Sequence, residues 1–393
     1  MEKVDVIIIG GGAAGLMCAI EAGKRHRKVV VLDHTNKAGK KILMSGGGRC
    51  NFTNYHINPA DYISHNPHFC KSALSRFTQW DFIDLVKRHH IPFHEKSLGQ
   101  LFCDNKSKDI LDMLLTECEQ AGVSIRLNTK IEHIEKLNDH HFKLNSSRGD
   151  FHAQSVVVAT GGLSIPTMGA SPFGYQLAEK FGIKVWPTRA GLVPFTLQPE
   201  DKEKLAVLSG IGVDSLVSNA QKSFRENILF THRGLSGPAI LQISSYWYPG
   251  EMVTINLLPE IDLFESLKSA QQQQPQKQLK TILTLYFAKR VIEIFFPVIL
   301  LEKKLTTISH QDFFDVAQKI NQWEVFPNGT EGYRTAEVTL GGIDCDAISS
   351  KTMEANAVKG LFFIGEALDV TGWLGGFNFQ WAWSSGWAAG QVV

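Results

Sequence analysis

The first 33 residues constrain this chain most. They open on a short apolar run, Val4–Ile9, of the kind that forms a fully buried parallel strand. Gly10, Gly12 and Gly15 follow, Ala13–Ala22 reads as a helix packed on that strand, and Val29–Leu32 reads as a second buried strand ending at Asp33. Together they make a βαβ unit with Gly-x-Gly-x-x-Gly at its first turn and an acid 18 residues after the last glycine. Gly10 permits the tight turn, Gly12 lets a pyrophosphate approach the backbone, and Gly15 lets helix and strand pack closely. The helix start, at Ala13 and Ala14, offers free N–H groups and about half a positive charge to phosphates. Asp33 can accept hydrogen bonds from a ribose diol. A glycine motif alone is weak evidence, but here strand, helix and acid stand where a dinucleotide site needs them.

Composition sets the frame around that unit. At about 150 residues per domain, 393 residues favour two or three domains. With 44% hydrophobic and 20% charged residues a sizeable core is available and global disorder is excluded. Forty Lys and Arg against 39 Asp and Glu leave a net charge of +1, so composition argues for neither nucleic acid nor an acidic membrane surface. No signal peptide is expected at the opening residues, and Pro297 interrupts the longest apolar stretch, Phe295–Leu301. A soluble, cytoplasmic protein without a membrane anchor is expected. Six cysteines form no CxxC pair and are expected to be reduced thiols.

Residues 37–54, KAGKKILMSGGGRCNFTN, read as a loop-like stretch. Between Glu21 and Asn54 eight Lys and Arg face two acids, an excess of six positive charges. Such a run is either a solvated face or a phosphate contact. Phe77–His89 and Lys108–Ala121 have helical spacing; Val123–Leu127, Ile131–Ile134 and Phe142–Leu144 alternate like strands. Ser155–Ala159 is a further buried strand, closing on Thr160-Gly161-Gly162, which brings the chain back under the dinucleotide. From Gly191 short β-like runs suggest a β-rich insertion, and Asp262–Trp323 reads as helical. Gly360–Ile364 restores the buried-strand pattern, then glycines lead into a helix over Phe379–Ala389. The expected organisation is a discontinuous domain of residues 1–190 plus 338–393, a β-rich insertion of 191–258 plus 324–337, and a helical insertion of 259–323.

SGGGRCNFTN (45–54), VVVATGG (156–162), FTHRGLSGPAIL (230–241), AEVTLGGI (336–343) and GEALDVTGWLGGFNFQWAWSSG (365–386) resemble the BaiN/RdsA family of FAD-dependent oxidoreductases, nearest its RdsA branch. The resemblance implies an α/β fold: a glutathione-reductase-type, Rossmann-like FAD-binding domain with an inserted β-rich subdomain and a helical subdomain. It implies an extended FAD, with Gly10, Gly12, Gly15 and Asp33 at the ADP half. Gly365, Glu366 and Asp369 would lie near the ribityl and pyrophosphate groups, and Gly375, Gly376 and Asn378 at the pyrimidine edge. Ala13, Ala14, Lys41, Ser45, Gly46, Gly47, Arg49, Asn51, Ile131, Thr160, Gly161 and Phe377 complete the expected contacts. Asp33 departs from the Glu that related flavoproteins often carry.

The family's reactions include reduction of conjugated C=C bonds in steroid-like acids, oxidation of a small amine, and reduction of uridine to dihydrouridine in 23S ribosomal RNA. The branch resemblance and the basic 21–54 segment favour ribosomal RNA as substrate; a small-molecule enone reductase or amine oxidase is the alternative, and a flavin-bearing interaction protein a third. Reducing a C=C bond needs hydride from the flavin and a proton from an acid. Cys50 is one candidate donor, although buried cysteines are more often inert; His232 is its rival, or an ordinary surface histidine. Trp373, Phe377 and Trp381 could stack on flavin or base, or simply pack. His90 and His94 have metal-pair spacing, but Pro92 breaks the helix this needs, so no metal is assigned. No second complete glycine motif follows a strand, so NAD(P)H, the expected electron donor, would visit the flavin without a domain of its own. Oligomeric state stays open.

Overall fold

In the computed structural model, which describes residues 1–138 and 141–393, strand register explains why distant glycine turns meet. The strands β1 (Glu2–Ile9), β2 (Val29–Leu32), β3 (Ser124–Arg126), β4 (Gly149–Val158) and β5 (Leu361–Phe363) run parallel in the order β3–β2–β1–β4–β5. Leu32, Ile9, Val158 and Phe363 align across the sheet. Asp33, Gly10, Ala159 and Ile364 therefore leave it together at the carboxyl edge, where open parallel sheets bind ligands. β4 begins earlier than the buried run Ser155–Ala159 suggests. Its first half pairs antiparallel with His141–Ser146, which pairs in turn with Ile131–Asn138.

Two helices frame that edge, α1 (Ala13–Lys24) and α2 (Phe377–Gly390). Nine of twelve residues in α1 and ten of fourteen in α2 are buried, so neither shows a one-sided apolar stripe. Small residues let them approach closely. A Cβ at Gly386 would lie 2.4 Å from Ala14 O, and one at Gly390 would lie 2.6 Å from Glu21 Cβ. Arg25, just past α1, donates to Gly390 O at 3.0 Å and Val393 O at 2.9 Å, satisfying carbonyls at the end of α2. Trp381 and Trp383 are core residues: their indoles donate to Gly365 O at 3.0 Å and Phe52 O at 2.8 Å.

Residues 37–54 hold more structure than a loop. Lys40–Met44 is helical, Ser45–Gly48 is a tight turn, and Asn51–Asn54 is a strand paired with Gln100–Cys103. Gly46, Gly47 and Gly48 have φ of +58°, +64° and +86°, a region L-residues avoid, so the glycine run reverses the chain rather than leaving it slack.

Residues 1–190 with 337–393 form one compact unit and 191–336 the other. The second holds a seven-stranded sheet whose named pairs are all antiparallel, together with the helices Leu263–Gln273 and His310–Asn321. β-rich and helical segments belong to this single unit. Asn321 ties them together by donating to Asn256 Oδ1, Leu258 O and Ile261 O at 3.0–3.1 Å. Among the described residues no helix is long and apolar enough to cross a membrane.

Candidate functional site

The three motif glycines have different tasks. Gly10 has φ +111°, and a Cβ there would lie 2.4 Å from Ala159 O; one at Gly15 would lie 2.0 Å from Gly10 O. Both are required by the fold. A Cβ at Gly12 would meet nothing within 4 Å. The second glycine faces open space, and α1 starts there with no side-chain cap and no acid in its first turn. Ala14 is buried against Gly365, whose Cβ position lies 2.9 Å from Ala14 Cβ; Ala13 is half-buried at the same turn. Asp33 is drawn inward: Oδ2 accepts from Gly11 N–H at 2.8 Å and Oδ1 from Thr35 N–H at 2.7 Å. Each carboxylate oxygen keeps a second acceptor site, so hydrogen bonds to a diol remain available. Ile131 is buried two residues after Thr129, whose N–H donates to Asp33 O at 2.9 Å.

Beside this turn lies an ionic cluster. Lys41 Nζ donates to Glu366 Oε2 at 2.9 Å and to Ser164 Oγ at 2.7 Å, while Glu366 Oε1 accepts from Thr339 N–H at 2.9 Å and Ser164 Oγ at 3.2 Å. Burial alone would push the Glu366 carboxyl up; the Lys41 ammonium and the Thr339 and Gly162 N–H groups outweigh it and hold the carboxyl below its usual range. The fold therefore favours the ionised form. The stability this contributes is fully present above the ordinary carboxyl pKa of about 4.3 and is lost as pH falls through the lower folded value. Lys41→Met is expected to open a melting-temperature gap from wild type of about 3 °C or more at pH 7, about 1 kcal/mol. That gap closes in acid; melting curves across pH check it, and a constant gap would rule this account out. Thr160 and Gly161 form the neighbouring turn. Gly161 has φ +71°, and Thr160 Oγ1 is buried with no partner among the described residues.

The C-terminal glycines are held by three asparagines. Asn378 Nδ2 donates to Gly372 O while its Oδ1 accepts from Gly372 N–H, both at 2.8 Å, closing the loop before α2. Asn54 Nδ2 donates to Gly375 O at 2.9 Å. With its amide turned so that both ends find partners, Asn51 accepts from Gly376 N–H at 3.3 Å and donates to Thr53 O and Leu101 O at 3.2 Å. Gly376 has φ +97°, and a Cβ there would lie 2.4 Å from Thr53 O. α2 then begins with no side-chain cap and no acid in its first turn. Phe377 is buried at that start, its carbonyl accepting from Tyr62 OH at 2.9 Å.

Cys50 and Asp369 are enclosed within the first unit, and His232 belongs to the second. Cys50 is 0% exposed and belongs to the hydrophobic core, where burial pushes its thiol far up, only partly offset by Ser45. The thiol is enclosed among apolar side chains, the setting of a packing residue. Ser45 Oγ donates to Ile42 O at 2.8 Å and Ser45 O accepts from Cys50 N–H at 3.1 Å; these bonds shape the turn carrying Gly46 and Gly47, both exposed. His232 sits exposed on the turn between the strands Ser223–Phe230 and Gly234–Ser236 of the second unit. The other candidates all belong to the first. Asp369 is 3% exposed, and its Oδ2 accepts from both the backbone N–H and Nδ1 of His65 at 2.8 Å. Burial pushes its carboxyl up, and the His65 donors offset part of this. Spacing could not reveal that pairing, because His65 and Asp369 are 304 residues apart.

The basic segment also divides. Lys24, Arg25, Arg27 and Lys28 lie between the end of α1 and the start of β2, at the opposite edge of the sheet from Gly10. They are occupied by Glu21, Glu117, Gly390 O, Val393 O, Gln154, Glu2 and Lys3 O. Lys37, Lys40 and Arg49 follow β2 and make no side-chain hydrogen bond or ion pair among the described residues; Lys37 and Arg49 are exposed.

Comparison with known proteins agrees with this architecture. The model of the HI0933-like protein Rossmann domain matches residues 4–392. The chain is 54% identical to the ribosomal RNA dihydrouridine synthase of Escherichia coli (strain K12), covering 100% of this chain and 98% of that protein. It is 52% identical to the ribosomal RNA dihydrouridine synthase of Haemophilus influenzae, covering 98% of each. Identity is 28%, again over 98% of each, to the 3-dehydro-bile acid delta(4,6)-reductase of Clostridium scindens. Among solved structures, a quinol-fumarate reductase with menaquinol shares the fold at a TM-score of 0.50 and 15% identity, covering 99% of this chain and 70% of that one. The chain belongs to the HI0933-like Rossmann family, the BaiN/RdsA group of flavoprotein oxidoreductases.

Proposed function

We propose that this chain is an FAD-dependent reductase converting uridine to dihydrouridine in 23S ribosomal RNA, with NADH or NADPH as electron donor. The observation that carries the reading is full-length identity of 54% and 52% to two ribosomal RNA dihydrouridine synthases. The residues present suit FAD: open space before Gly12, uncapped starts at α1 and α2, and a buried Thr160 hydroxyl that awaits a partner. Bound FAD supplies hydride chemistry in its reduced form. The chain's own residues bind and orient. Gly12 and the start of α1 take the pyrophosphate, and Asp33 takes the ribose. Glu366 and Lys41 stiffen the turn beside them. The positive end of α2, at Gly375 and Gly376, would hold the flavin end of the cofactor and favour negative charge there. Within the basic 21–54 segment, Lys37, Lys40 and Arg49 are the cations left to meet RNA phosphates.

The full-length identity of 28% to a bile-acid C=C reductase supports a second reading, reduction of a small conjugated substrate. Nucleoside analysis of ribosomal RNA from cells with and without this gene separates the two. A dihydrouridine lost on deletion and restored by the gene is the expected result. Unchanged dihydrouridine would remove the first reading and leave the second.

A further inference from the structure

The pairing of Tyr62 with Gly372 and of Ile63 with Thr371 brings His65 opposite Asp369. Three contacts fix the His65 ring. Its backbone N–H and Nδ1 both meet Asp369 Oδ2 at 2.8 Å. Its face lies on the Trp186 indole, with centroids 3.8 Å apart and planes 4° apart. Lys184 Nζ lies 3.0 Å from the centroid of the same indole and completes the support. The other histidine–carboxylate pairs are built differently. His94 and Asp104 are 42% and 43% exposed, a surface pair, and the Glu117 partner of His89 is shared with Lys24. At His65 the carboxylate is buried at 4% side-chain exposure while the ring is 51% exposed. With Nδ1 committed to the carboxylate, Nε2 is the nitrogen left to solvent.

Asp369 also lies within the stretch 365–378, between the Gly365–Glu366 turn and the Gly375–Gly376 loop, the two places where the cofactor reading puts successive parts of FAD. The same short ladder continues to Trp373, whose N–H donates to Asp61 O at 3.1 Å. A buried acid, a half-exposed imidazole locked in one orientation, and a place opposite the segment that leads into the glycine loop together describe a proton-delivery site.

We propose that His65, oriented by Asp369, is the proton donor in the reduction. This rests on the uridine-reductase reading above. Hydride from reduced FAD forms the C6–H bond of uridine, and the C5=C6 electron pair passes into the enolate that ends at O4. The Nε2–H bond of His65 breaks as C5–H forms, leaving neutral imidazole and dihydrouridine. The exposed ring regains its proton from water, and a dihydronicotinamide returns two electrons and a proton to the flavin. Asp369 is the positioning residue: it holds Nδ1 and so fixes where Nε2 points.

Full-length FAD-loaded wild type, His65→Asn, His65→Gln and Asp369→Asn test this. The RNA is ribosomal RNA from cells lacking the gene, and a single turnover is run in D2O after reduction by NADPH or NADH. Asn keeps a donor near the Nδ1 position and Gln one near Nε2, and neither delivers a proton. Flavin content, melting temperature and the rate of flavin bleaching should stay within about twofold or 3 °C of wild type in the His65 variants. Dihydrouridine formation should fall by about 10²–10⁴-fold. Deuterium should enter one face of C5 with wild type and both faces in the residual variant product. Asp369→Asn should show a smaller loss. A His65→Asn enzyme with near-normal rate and single-face deuteration overturns the proposal. So does loss of flavin or of stability in both His65 variants, which would make the pair a structural clip. A wild type that bleaches but forms no dihydrouridine overturns the underlying reading instead, and the proton-donor role with it.

Discussion

Replacing Gly12 by Asp is expected to give a folded protein that purifies without flavin. A Cβ at Gly12 would meet no atom within 4 Å, and the backbone there, at φ −86° and ψ −169°, is ordinary extended geometry. Asp is also a favoured residue at a helix start, where its carboxylate can accept from N–H groups that are otherwise uncapped; such caps are worth about 1 kcal/mol. The apoprotein should therefore melt no lower than the wild-type apoprotein. The same carboxylate would occupy the space a pyrophosphate needs. One like-charge contact at about 4 Å costs about 4 kcal/mol at an effective dielectric near 20, roughly a thousandfold in Kd. The check is the absorbance ratio of flavin to protein together with a flavin titration. A yellow Gly12→Asp protein would show that the open space before α1 is not where FAD binds.

Gly15→Ala has the opposite cause and a larger structural effect. The added methyl would lie 2.0 Å from Gly10 O and 3.2 Å from Ala159 Cβ, and the first of these is backbone in the turn that joins β1 to α1. Nothing there is a flexible side-chain end, so the helix must move off the sheet. Overpacking costs typically 1–3 kcal/mol, and a backbone clash belongs at the upper end. About 3 kcal/mol corresponds to a melting temperature about 6–12 °C lower. Reduced soluble yield should accompany it. Circular dichroism melts of the apoproteins make the comparison clean, because Gly12→Asp should hold its stability while Gly15→Ala loses it. Equal melting of Gly15→Ala and wild type would mean the helix is free to shift, against the contact just described.

Much of this was legible from residues alone because its cause is local. Short Val- and Ile-rich runs bounded by glycine turns favour strands buried on both faces, and glycines at fixed spacing between strand and helix serve few purposes other than close approach. β2 spans Val29–Leu32, the expected run, and α1 begins at Ala13 as its glycine turn requires. The stretch 37–54 read as a loop because its strand, Asn51–Asn54, exists only through pairing with Gln100–Cys103, some fifty residues on. Glycine content there signalled freedom; pairing turned it into a fixed reversal.

The sequence by itself determined the βαβ unit, its glycine roles and the return of the chain to the first sheet at its end, since each follows from local periodicity and steric need. Tertiary structure alone decided which polar groups face the open edge. It buried Cys50 in the core and set His232 in the other compact unit. It tied four of the basic residues to partners at the far edge of the sheet, leaving Lys37, Lys40 and Arg49 without side-chain partners among those described. It joined His65 to Asp369 across 304 residues. The physical reason is that burial and hydrogen-bond partnership depend on which distant elements the register brings together. A residue's chemistry is written in its type, but its exposure and its partner are written in the fold.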